Sequence, residues 1–119
     1  MITFFEACIL AHIIGDYLIQ TDREANQKAV QQFFNFPLLR HALKYTGCFI
    51  LPIVYFQFSP LWLFWIFATH YVLDRRAFVI WWRKNVMRNN DEAIRNTFWL
   101  TIIVDQIFHL LAIGTICAL

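Results

Sequence analysis

Four apolar runs, over about residues 2–19, 37–58, 61–82 and 97–118, leave this chain few ways to fold. Each comes close to the roughly 20 residues that an α-helix needs to cross a bilayer. Charged residues are bunched between the runs, not spread along them. Of 119 residues, 60% are hydrophobic and 18% aromatic, only 15% are charged, and mean hydropathy is +0.51. A soluble domain of this size carries about a quarter charged residues. The expected fold is therefore all-α: a polytopic membrane protein whose single domain, residues 1–119, is a four-transmembrane-helix bundle.

Local signals place the boundaries. Thr21 to Gln32 is polar and mixed in charge, and Asp22 can cap a short surface helix there. Pro37 suits the first turn of the second helix, and Pro52 is expected to kink it. Ser59-Pro60 makes a short turn. Trp62 and Trp65, then Trp81 and Trp82, fall where an interfacial aromatic belt is expected. All ten Lys and Arg residues lie in or next to the first and third connections. The positive-inside rule then puts loops 20–36 and 83–96 in the cytoplasm and both termini outside. The first run lacks a basic leader and carries Glu6, so it reads as a retained helix and not as a signal peptide.

A net charge of +2, with no basic stripe, excludes nucleic acid as a partner. Cys8, Cys48 and Cys117 lie in three different runs with no C-x-x-C pair, so they read as packing residues.

Within the apolar runs the ionisable residues form a pattern. His12 and Asp16, His70 and Asp74, and Asp105 and His109 are each one helical turn apart, so each pair shares a helix face. The order reverses in the fourth run, where the chain direction reverses, so each Asp keeps the same depth relative to its His. His41 enters at that depth from the second run. The first two pairs also suggest a 2+2 parallel repeat. Ionisable groups inside such segments are read as functional by default. Histidine nitrogen with aspartate oxygen is a ligand set for zinc, with manganese and iron as other candidates. His12, Asp16, His41, His70, Asp74, Asp105 and His109 are the expected ligands, enough for one or two ions. Asp16, Asp74 and Asp105 double as candidates for the base that takes a proton from water. Thr101 and Gln106 are expected as donors behind the ligands. A single pair would more simply be a hydrogen-bonded clasp between helices. Three depth-matched pairs plus His41 favour a site.

The ordered series His12-x-x-x-Asp16-Tyr17-x-x-Gln20, Lys28, His41, His70-x-x-x-Asp74 and Asp105-Gln106-x-x-His109 resembles a bacterial and phage family of small membrane proteins, domain of unknown function 3307. The resemblance spans nearly the whole chain, brings Gln20 in beside Gln106 as an outer donor, and implies a bacterial inner membrane. Tyr17 stands where that family often has phenylalanine, and Arg75-Arg76 near where it often has lysine. More distantly, the pattern is similar to bacterial inner-membrane proteins known as membrane-bound metal-dependent hydrolases.

Two function classes follow. The first is a metal-dependent hydrolase acting at the cytoplasmic membrane face on a lipid or phosphoester. Arg75 and Arg76, with Arg83 and Lys84, would meet an anionic headgroup, although a basic flank serves topology anyway. The second is a non-enzymatic bundle: a metal- or proton-coupled carrier, or a small phage-type effector, with the His-Asp pairs as clasps or an ion relay. Membrane lipid is the expected partner, and homo-oligomerisation is left open.

Overall fold

A computed structural model describes residues 1–19 and 35–118. Gln20, Lys28 and the Thr21–Gln32 connection with Asp22 lie outside the described residues. Among the described residues every regular element is helical. Helix α1 spans Phe4–Ile13 and runs into a π-helical turn, Ile14–Leu18. Helix α2 is Phe36–Cys48, α3 Ile50–Tyr55, α4 Trp62–Asp74, α5 Ala77–Asn85, α6 Asp91–Asn96 and α7 Phe98–Ala118.

The local chemistry explains most boundaries. A capping box starts α1: the Glu6 amide donates to Thr3 Oγ1 at 3.2 Å, and the Thr3 amide to Glu6 Oε2 at 2.7 Å. Asn35 caps α2, with Pro37 in its first turn. Pro52 has no amide hydrogen and its ring crowds the carbonyl four residues back, at Cys48, which is where α2 gives way to α3. Asn90 caps α6 through the Ala93 amide at 2.7 Å.

The four-span bundle does not stand. Only α7, with 21 residues, is a helix both long and apolar enough to cross a membrane among the described residues. The first run becomes ten α-helical residues and a π-turn, and the second divides at Phe49. The third stops at Asp74, because Arg76 takes the left-handed conformation at φ 62°. That conformation costs a non-glycine residue about 1–2 kcal/mol, so the surrounding structure must impose it. Multi-pass topology, and the placement of termini and loops that rested on it, fall with the four spans. Hydropathy had counted apolar residues correctly but could not show where the backbone turns.

Helix α1 packs on α2, α3 and α7, while α4 packs on α2, α5 and α7. One apolar cluster joins Phe4, Cys8 and Ala11 to Tyr45, Phe49 and Ile53 of the α2–α3 arm, with Ile66, Ile113 and Ile116 closing it. A smaller cluster joins Leu38, Ala42 and Tyr71. The same helices carry the buried histidines and aspartates on neighbouring turns. Cys8, Cys48 and Cys117 are free thiols, and burial pushes the Cys8 thiol up to about 12, out of the reactive range.

Candidate metal centre

Three segments converge on one polar layer. The π-turn supplies Asp16, α2 supplies His41, and α4 supplies His70 and Asp74. All four are buried, with 0–4% of each residue exposed. His41 Nε2 lies 3.2 Å from Asp16 Oδ1 and 3.1 Å from Asp74 Oδ2. His70 Nε2 lies 3.1 Å from Asp74 Oδ2 and 3.9 Å from Asp16 Oδ1. One donor atom from each residue falls within 4.8 Å of all the others, so the group could hold a metal ion.

The donor set fits such an ion. Zinc bonds of about 2.0–2.1 Å in a tetrahedron set neighbouring ligand atoms about 3.3 Å apart. Three of the four nitrogen–oxygen edges are 3.1–3.2 Å, and the fourth, from His70 to Asp16, is 3.9 Å. Two imidazole nitrogens and two carboxylate oxygens are borderline-to-hard donors suited to zinc, manganese or iron.

Electrostatics separates the members. Burial pushes the His70 imidazole down to about 4, leaving it neutral, and Asp74 only partly offsets this. For Asp74 burial acts upwards, but its interactions with His70, His109 and His41 prevail and hold its carboxyl well below the usual range. A neutral imidazole beside an ionised carboxylate is the protonation state that ligation requires.

Around the quartet lies a hydrogen-bonded frame. The Gln106 amide donates to Asp16 Oδ2 and Asp105 Oδ2, both at 3.2 Å. Carboxylates only accept, so this fixes the amide's orientation and leaves Gln106 Oε1 to accept from His12 Nε2 at 2.8 Å. His12 Nδ1 pairs with the Tyr45 hydroxyl at 2.7 Å. Both nitrogens of His12 are thus engaged, and it stands behind the quartet. Burial pushes its imidazole down as well. His109 Nδ1 donates to the Asp105 backbone carbonyl at 2.8 Å, and its Nε2 meets His70 Nδ1 at 3.0 Å. Asp74, Asp105 and His109 form a second group with close donor atoms.

Other expected members lie elsewhere. Thr101 accepts from Arg83 Nη1 at 2.9 Å. Arg83 is 1% exposed and also bonds Asn89 and Thr97, so it ties α5 to α7 and is withdrawn from any surface role. Lys84 is paired with exposed Asp91 at 2.9 Å. Arg75 is half-buried just after Asp74, and Arg76 lies over the Phe98 ring at 5.2 Å. Tyr45 was not singled out from the sequence. It stacks on His70 with centroids 3.6 Å apart and planes 9° apart. Its one signal was its place four residues after His41, on the same helix face.

Comparison with curated proteins and with solved structures returns no match. A family described as "Protein of unknown function (DUF3307)" matches residues 4–119. That match takes in all seven clustered histidines and aspartates, and the chain belongs to this family.

Proposed function

We propose that this chain is a membrane-associated metalloprotein whose Asp16, His41, His70 and Asp74 hold one divalent transition metal, zinc before manganese or iron, and that the centre hydrolyses a lipid phosphoester. The observation that carries the reading is the set of four nitrogen–oxygen edges at 3.1–3.9 Å, drawn from three segments and buried. When bound, such an ion supplies Lewis-acid charge and brings the pKa of water to about 7. Within the chain, His41 and His70 hold the centre. Asp16, at the longest edge and steadied by Gln106, is best placed to take a proton. Arg75 and Arg76, directly after Asp74, are the cations nearest it in sequence for an anionic headgroup. Support for the membrane comes from α7 and from exposed apolar side chains such as Leu10, Leu51, Phe64, Trp99 and Leu111.

The test is metal analysis of purified full-length protein, followed by assay on phospholipid headgroup esters. The expected result is one zinc per chain and headgroup release that His70→Ala and Asp74→Asn abolish. A second reading has its own observation. His41 Nε2 sits between Asp16 Oδ1 and Asp74 Oδ2, as an imidazolium bridging two carboxylates would in a metal-free clasp or ion relay. Metal-free wild type, purified without chelators at neutral pH, would establish that reading over the first.

A further inference from the structure

We infer, resting on the lipid-phosphoester reading above, that the groove between α4 and α7 holds the acyl chain of a phospholipid substrate, with its phosphate at Arg75 and Arg76. The groove has a volume of about 470 Å³, within the range of small-molecule sites. Trp65, Thr69 and Val72 of α4 face Phe108, Leu111 and Ala112 of α7 across it. At a rise of 1.5 Å per residue, Trp65 to Leu73 measures about 12 Å along α4. The hydrogen-bonding side chains of the lining give their hydrogens to backbone carbonyls. Thr69 Oγ1 donates to Trp65 at 2.8 Å, Thr115 Oγ1 to Leu111 at 2.9 Å, and Trp65 Nε1 to Ala112 at 3.0 Å. A ligand there meets hydrocarbon and no free donor, which suits an acyl chain.

The ends of the groove say what fits. Towards one, the Trp65 indole crosses from α4 to α7. Towards the other, Phe78 of α5 meets Phe108 edge to face, with centroids 4.9 Å and planes 74° apart. Rings that cross at both ends admit a thin flexible chain but obstruct a straight helix about 10 Å across, so a second copy of this protein fits poorly. The Phe78 end also adjoins the chemistry. Leu73 and Phe78 line the groove, and between them in sequence stand Asp74 of the quartet and the partly exposed Arg75 and Arg76. A phosphate there meets two cations while its chain stays in the groove, and this charge complementarity selects an anionic amphiphile. Thr69 and Ala112 line both the groove and a small inner cavity walled by Tyr45, His70 and His109. A second apolar groove, of about 370 Å³ between α1 and the α2–α3 arm, has no arginine or lysine next to its lining residues in sequence.

Photolabelling locates the chain without any assay of turnover. The probe is phosphatidylglycerol with a diazirine in one acyl chain, doped into phosphatidylcholine vesicles that hold the full-length protein, with zinc content measured on the same preparation. Labels are expected on the α4–α7 groove, and about 5-fold fewer on the second groove, the preference that one cation beside a phosphate supplies. Ala68→Trp fills the α4–α7 groove from an exposed position outside the inner cavity. It should bring labelling there down to the level of the second groove, with zinc content unchanged. Arg75→Gln combined with Arg76→Gln should lower it as well. The wild-type comparison of the two grooves needs no variant, so it decides even where a variant fails to fold. Equal labelling of both grooves would mean contact with bulk lipid and overturn the inference. So would a groove protected inside a dimer, which would give it to a second copy. Either result leaves the metal reading standing. Metal-free wild type would overturn that reading, and with it the substrate role of a lipid in the groove.

Discussion

His12 and Asp16 are spaced like His70 and Asp74, yet the two pairs end in different arrangements. In α4 the helix is regular through Asp74, and the pair meets at 3.1 Å. After α1 the backbone widens into the π-turn, closed by the Ile19 amide on the Ile14 carbonyl at 3.1 Å. From this turn Asp16 reaches His41 and Gln106, while His12, on the α-helical side, bonds Tyr45 and Gln106. Sequence spacing therefore names a shared face only while the helix keeps its period. Gly15 sits inside that turn, where an added Cβ would lie 2.8 Å from Tyr45 Cδ2 and 3.2 Å from its Cα. The turn can approach α2 because this residue has no side chain.

The largest effect should come from breaking the regular pair. Asp74→Ala leaves His41 and His70 buried without their shared carboxylate, a change worth about 3–5 kcal/mol of stability. Denaturant unfolding of purified protein measures it, and a loss under 1 kcal/mol would mean that Asp74 is not the hub. Gly15→Ala attacks the other pair through the backbone. The crowding of Tyr45 should cost about 1–3 kcal/mol and weaken zinc binding, since Asp16 must move with the turn. An unchanged zinc affinity would separate the π-turn from the centre.

Some of this was legible in the sequence, for identifiable reasons. The helical class, the break caused by Pro52, the Pro37 turn and the family resemblance all follow from residue types with strong local meaning. The Arg75–Arg76 break did not, because arginine carries no preference for a left-handed backbone and Gly or Pro is absent there. The π-turn was equally silent. The histidines and aspartates were visible because charge in an apolar run is costly, but their division into an inner quartet and an outer frame depends on tertiary contacts. Arg83 looked like a surface cation, and only the approach of α7 shows it buried against Thr97 and Thr101.

A smaller effect should follow from the outer member of the irregular pair. His12→Gln loses one of its two side-chain hydrogen bonds, costing about 1–3 kcal/mol, while zinc stoichiometry stays at one. Loss of the ion in this variant would return His12 to the ligands. Acid should sharpen the contrast further. Protons compete with the metal for imidazole nitrogen, so zinc affinity should be full at neutral pH and fall as pH drops towards about 4, where His70 takes up a proton. Equilibrium dialysis across that range would show it, and a flat profile would speak against histidine ligation.

The most direct measurement is zinc content and coordination of the full-length protein, purified without chelators at neutral pH, compared with His70→Ala. The account predicts one zinc per wild-type chain held by two imidazoles and two carboxylates, and none in the variant. Wild type without metal, or His70→Ala that retains it with the same ligands, would contradict it.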